Sequence, residues 1–272
     1  MTITLPDGTE VGLGLQMPTP GFVSALPVYA DVGPMLTRQQ IEDIARSGTM
    51  RGRDRFDSSY IKDQKSHGSC NGFAGAAALT RARVRRGLPR IDLSGAYLYS
   101  LINDNVDRGS LLDRGMMALL ARGCAAETTV GWAGIFRSLY ETRVADAEAA
   151  RMKAFECYQV NDEGMLWSGL ASGFDAVVAV HADAGFMKLD ANGVAGGGQG
   201  GGNHAVGVSG LWWDRELIAD AYNSWGLSYG DQGRMGLTWD RHFRPTHQNH
   251  AFYLIRSATD DPQSENPPVA GG

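Results

Sequence analysis

Cys70, His204 and Asn223 are the residues of this chain whose types and order can carry nucleophilic thiol chemistry. Cys70 follows Gln64-Lys-Ser-His-Gly-Ser and opens the run Cys70 to Arg86. Phe73, Ala76, Ala77, Leu79, Ala82 and Val84 recur along that run with helical spacing, and Gly87 is a natural stop. A thiol at a helix N-terminus faces unpaired backbone N–H groups and the positive end of the helix dipole, so a lowered pKa and a reactive thiolate are expected. By itself, a cysteine in that place is more often structural than reactive. His204 lies in Gly202-Asn203-His204-Ala-Val-Gly-Val, and Asn223 in Ala221-Tyr-Asn223-Ser-Trp225-Gly. They follow Cys70 by 134 and 153 residues, so the three can meet only through the fold and not through the sequence.

Such groups need rigid elements to hold them. From about Asp63 to Leu120 the pattern is helical, with further helices starting near Ser94 and near Arg114. After about residue 155 it turns to strands: Asp175–Val180, Ala205–Leu211, Glu216–Tyr222, Arg234–Thr238 and Ala251–Arg256. A helical half followed by a stranded half predicts an α+β fold with its cleft between the two. Residues 1–50 open with a hairpin turning at Pro6-Asp7-Gly8 and carry a short helix capped by Thr37 and Gln40. They are expected to wrap the core, packing Ile3, Leu5, Val11, Phe22 and Val28 on it, so that deleting them destabilises the protein without activating it. The expected organisation is an extension over 1–50, one domain over 51–258 with a helical lobe at about 51–155 and a β lobe at about 156–258, and a polar mobile tail over 259–272.

At these residues the chain resembles the papain-like cysteine peptidases, over about residues 55–256. Lys62-Asp-Gln64 … Gly68-Ser-Cys70-x-x-Phe73-Ala is similar to the family's nucleophile segment, His204-Ala-Val to its base strand, and Asn223-Ser-Trp225-Gly … Tyr229-Gly to its orienting-Asn strand. The resemblance implies a papain-like two-lobe fold, with the central helix starting at the nucleophile and an antiparallel, barrel-like β lobe. It implies that Cys70 attacks a peptide carbonyl and that His204 takes and returns the proton. Asn223 would then fix the imidazole, Trp225 would shield their hydrogen bond, and Gln64 would complete an oxyanion hole with the Cys70 amide. Gly109 and Ser110 partly match the pair that binds substrate backbone, and Asn203 and Trp225 are further candidates for that role. The chain also departs from the family. His67 stands where members carry a disulfide-forming cysteine, Asn71 replaces the aromatic residue after the nucleophile and should make the groove wall more polar, and no long pro-segment is apparent.

Several other readings compete for the same residues. Cys124 and Cys157 sit in apolar surroundings and read as small core residues. His67 and Cys70 form an H-x-x-C pair, but no second pair lies at ligand spacing, so neither a metal nor a cofactor is expected. Asn249-His250-Ala251 repeats Asn203-His204-Ala205, yet no Asn-Ser-Trp follows it, so His204 is preferred as the base. His181, His242 and His247 read as surface or strand-end residues, and Arg81, Arg83, Arg85 and Arg86 as a solvated helix face. Twenty-five Lys and Arg against 30 Asp and Glu, with no basic run, argue against a nucleic-acid partner. No apolar stretch is long enough for a membrane span. With three cysteines and no basic and apolar leader at Met1, a cytoplasmic or other reducing compartment is expected. The expected partner is therefore a peptide or protein substrate, with the oligomeric state open. The competing function is a papain-like fold serving as a structural or binding part of a larger assembly, such as a viral particle, with little turnover.

Overall fold

The computed structural model describes residues 1–50, 60–197, 200–246, 251–256 and 258–259. Strands β1 (Thr2–Thr4) and β2 (Glu10–Gly12) form the expected hairpin, with Gly8 at a φ of 87° in its turn. Helix α1 (Arg38–Arg46) starts at Thr37, whose hydroxyl accepts the Gln40 amide while Gln40 reaches back to the Thr37 amide.

Helix α2 (Cys70–Arg85) is the axis of the molecule, and every residue from Cys70 to Arg83 is buried. Its small residues let the next helix come close. A Cβ on Gly72 would stand 2.4 Å from the Gly95 carbonyl oxygen, so α3 (Gly95–Ile102) packs against it almost backbone to backbone. Ser94 caps α3 by accepting the Tyr97 amide at 3.0 Å. Helices α4 (Leu112–Ala121) and α5 (Thr142–Ala149) extend the helical part.

Strands β3 (Lys153–Ala154) and β4 (Cys157–Gln159) lead to helix α6 (Glu163–Ala171). Then come β5 (Asp175–Val180), β6 (His204–Asp214), β7 (Glu216–Tyr222), β8 (Arg234–Thr238), β9 (Phe252–Ile255) and β10 (Ala258–Thr259). Six of them form one antiparallel sheet in the order β4-β9-β5-β6-β7-β8. Strand β5 is buried along its whole length. The Asp175 carboxylate at its start receives both guanidinium nitrogens of Arg85 at 2.5 and 2.9 Å, tying the C-terminal end of α2 to the sheet. The architecture is α+β.

The arginines of α2 differ from expectation. Arg81 and Arg83 are buried rather than solvated, with the Arg81 guanidinium 3.5 Å from the centre of the Tyr222 ring. Sequence position alone could not show that this helix lies in the middle of the protein. Helix α6 falls in the stretch read as strands. His242, read as a surface or strand-end residue, is buried in a short π-helical turn over Trp239–Phe243. Thr259, assigned to the tail, pairs with Lys153; residues 260–272, His247 and His250 lie outside the described residues. No helix among the described residues is long and apolar enough to cross a membrane.

Candidate active site

Antiparallel pairing of β6 with β7 brings the start of one strand beside the end of the other, and this places His204 next to Asn223. His204 Nε2 lies 2.8 Å from Asn223 Oδ1, which also accepts the Ser224 backbone N–H at 2.8 Å. The amide donor fixes that atom as oxygen, so Nε2 is the protonated nitrogen of a neutral ring. The other nitrogen, Nδ1, is buried with no hydrogen-bond partner and keeps its lone pair for a proton. The Trp225 ring stacks on the imidazole, with centroids 4.3 Å apart and planes 24° apart.

Cys70 opens α2, and the backbone amides of Ala205, Gly14 and Asn71 favour its thiolate. Ala205 follows His204 at the start of β6, so the first turn of α2 lies near the strand that carries the imidazole. Gln64 is clamped from both sides of its carboxamide. The Ser224 hydroxyl donates to Oε1 at 2.6 Å, while Nε2 donates to the carbonyls of Gly12 and His67 at 3.0 and 2.7 Å. Residues 63–64 are in turn pinned to the Asn223 segment, since the Gln64 amide bonds Ser224 O at 2.9 Å and Asp63 bridges Trp225.

The N-terminal segment crosses this site, which reasoning from sequence missed. After β2 the chain runs as a strap over the nucleophile. The Gly12 amide donates to Lys65 O at 2.9 Å, Leu15 N to Asn203 O at 3.1 Å, and Gln16 N to Ser110 O at 3.0 Å, while Ser110 N donates to Gly14 O at 2.9 Å. The strap thus runs parallel to residues 109–111, and it does so because its glycines have no side chains. A Cβ at Gly12 would sit 1.9 Å from His67 O, and one at Gly14 1.8 Å from Gly68 O. The signal was visible as Gly12-Leu-Gly14-Leu, alternate glycines in an extended stretch, but nothing in the sequence says which surface they lie on.

Burial reverses the expected ionisation. Loss of water pushes the Cys70 thiol up to about 11, even though the amides of Ala205, Gly14 and Asn71 pull the other way. It pushes His204 down to about 4, against the Asn223 hydrogen bond. Desolvation therefore outweighs the helix terminus, and the covered site holds a neutral thiol beside a neutral imidazole.

The remaining candidates divide. The main chain of Ser110 and Asn203 faces the strap, and Gly109 carries a φ of 86° with no room for a Cβ against Gly14 O. The Asn203 side chain is spent on Ala182, accepting its amide at 2.7 Å and donating to its carbonyl at 3.0 Å. Asn71 does not line a polar wall. It is fully buried and donates to Ser110 Oγ at 3.0 Å and Leu111 O at 2.6 Å. The described residues hold no group of three or more His, Cys, Asp or Glu placed to bind a metal ion.

No protein-family profile and no curated protein matches the sequence. Solved structures do. The chain is similar to xylellain, a cysteine protease from Xylella fastidiosa, with 21% identity and a TM-score of 0.59 over 72% of this chain and 82% of that one. It is similar to procathepsin B S9 from Trypanosoma congolense, with 15% identity and a TM-score of 0.62 over 92% and 87% of the two chains. A digestive procathepsin L 3 from the larval midgut of Tenebrio molitor gives 18% identity and a TM-score of 0.59 over 86% and 82%. The fold is the papain-like cysteine-protease fold.

Proposed function

We propose that this papain-fold chain is a cysteine peptidase held latent by its own residues 12–17. The observation that carries the reading is the half-satisfied imidazole: His204 is anchored through Nε2 and leaves buried Nδ1 without a hydrogen-bond partner, and the amide of the next residue, Ala205, favours the Cys70 thiolate. A purely structural histidine at this depth would have both nitrogens bonded.

Catalysis begins when a peptide replaces the strap and water re-enters beside Cys70. Desolvation then falls, and the first-turn amides of α2 favour the thiolate. The thiol proton moves to His204 Nδ1, giving a thiolate–imidazolium pair. The sulfur attacks the peptide carbonyl carbon, and the carbonyl π pair moves onto oxygen. Gln64 Nε2 and the Cys70 amide receive that oxyanion. Gly12 O, now bonded to Gln64 Nε2 at 3.0 Å, occupies the same donor in the covered state. Collapse of the adduct re-forms the carbonyl and breaks the C–N bond, and the leaving amine takes the proton from Nδ1. Water then attacks the thioester, giving its proton to His204, and the released thiolate takes that proton back. Removing one oxyanion donor typically costs about 2.7–4 kcal/mol of transition-state stabilisation. Ser110 offers substrate the backbone amide and carbonyl that the strap now uses.

The burial of both Cys70 and His204 favours a second reading, a papain-like fold retained for binding or assembly with little turnover. Cleavage profiling of a mixed peptide library separates the two. Products that disappear in Cys70→Ala support the peptidase. Absence of cleavage both by the wild type and by Gly14→Ala, in which the strap must lift, supports the structural part.

A further inference from the structure

Two residues before the nucleophile, the Gly68 amide donates to Asp107 Oδ1 at 2.8 Å. The same oxygen accepts the Tyr99 hydroxyl at 2.9 Å, and Oδ2 lies 3.2 Å from His67 Nδ1. The Tyr99 oxygen accepts in its turn, from the Gly109 amide at 2.9 Å. One carboxylate on the 103–109 turn therefore holds the nucleophile turn directly and the Gly109-Ser110 edge through a single phenol. Buried Tyr99, whose ionisation is pushed up by loss of water and by the neighbouring carboxylate, remains a donor to Asp107.

We propose that Asp107 is a positioning residue that sets the nucleophile turn at 67–70 against the peptide-binding edge at 109–110, with Tyr99 as the joint between them. His67, which stands where the resembled family has a cysteine of a disulfide, lies against this same carboxylate. The geometry needs both ends. The thiol must meet a carbonyl whose backbone is held by Ser110, and a shift of about 1 Å between the two can cost on the order of a hundredfold in rate. Asn71, bonded to Ser110 Oγ and Leu111 O, makes a parallel tie one residue beyond Cys70. Loss of Asp107 should therefore loosen the arrangement without unfolding it.

This inference rests on the peptidase reading only for its kinetic consequence, so the test has two readouts on the full chain. Backbone hydrogen exchange needs no turnover. In Asp107→Ala the amides of Gly68 and Gly109 should both exchange at least tenfold faster, whereas in Tyr99→Phe only Gly109 should, and Asp107→Asn, which keeps the accepting oxygen, should restore most of the protection at Gly68. Asp107→Ala should lower kcat at least tenfold, and Tyr99→Phe, which frees only the 109–110 edge, should lower it by less while raising KM. A Gly109 amide unchanged in Asp107→Ala would overturn the tie. Altered exchange with kcat unchanged in Asp107→Ala would overturn its positioning role. If wild type turns over no peptide, the peptidase reading fails by itself, and the exchange pattern still decides whether the tie exists.

Discussion

His204 and His242 are both fully buried, and loss of water pushes both down to about 4, yet they sit in opposite chemical situations. His242 has both nitrogens engaged, Nδ1 accepting the Thr238 amide at 3.0 Å and Nε2 lying 2.9 Å from Ala195 O. It closes the turn after β8 and has nothing left to exchange. His204 has one nitrogen anchored and one buried without a hydrogen-bond partner. Burial and pKa do not distinguish a working histidine from a structural one here; the unfilled hydrogen bond does.

The largest expected effect separates them by mutation. His204→Ala should lower peptide turnover per folded molecule at least a thousandfold, since it removes the proposed acceptor of the thiol proton. His242→Gln should leave turnover per folded molecule within a few-fold and cost about 1–3 kcal/mol of stability, because it disrupts two buried hydrogen bonds. Steady-state rates normalised to the folded fraction, with denaturant midpoints, check both. Asn223→Ala should fall between them, with the imidazole present but unaligned. Equal losses from His204→Ala and His242→Gln would erase the comparison.

Relief from the strap sharpens it. Gly14→Ala forces a contact of 1.8 Å with Gly68 O, so the strap must lift. Iodoacetamide modification of Cys70 at neutral pH should then rise at least tenfold. In wild type, with the thiol held at about 11, the rate should climb nearly tenfold per pH unit between pH 7 and 9. In Gly14→Ala that slope should flatten.

Acid provides a smaller effect with a definite sign. Each buried histidine has a folded pKa near 4 against about 6.5 when unfolded. The unfolded chain therefore binds protons first as pH falls. Stability is complete above about pH 6.5 and is lost towards pH 4, by up to about 3 kcal/mol for each ring. On the proposal that the strap excludes water from His204 and not from His242, Gly14→Ala should lose about half as much over that range. Urea melts from pH 7 to 4 measure this. The smallest effect expected is that of reductant. Cys70, Cys124 and Cys157 are all free and buried, so dithiothreitol should leave Tm unchanged within a degree.

The sequence made some of this legible for physical reasons and hid the rest. The α2 start at Cys70, the Thr37 capping box and strands β5, β7 and β8 follow from local rules: a stop glycine, a reciprocal side-chain cap, runs of apolar residues between turns. Cys70, His204 and Asn223 could be grouped because their order and spacing are constrained by the fold that joins them. The strap could not be placed, since Gly12 and Gly14 state only that something comes close. Nor could the burial of Arg81, Arg83 and His242 be read, because burial is set by neighbours distant in sequence. The rise in the Cys70 pKa was hidden for the same reason: the helix terminus is local and visible, while the desolvation that outweighs it comes from burial by parts of the chain distant in sequence.

The central claim is that His204, through its free nitrogen, activates Cys70 once the strap lifts. Covalent labelling by an epoxide-type inhibitor of thiol proteases, located by peptide mass spectrometry, tests it most directly. One equivalent should attach to Cys70, faster in Gly14→Ala than in wild type, at an unchanged rate in His242→Gln and at a negligible rate in His204→Ala. Labelling of Cys124 or Cys157, or equal labelling of Cys70 with and without His204, would contradict it.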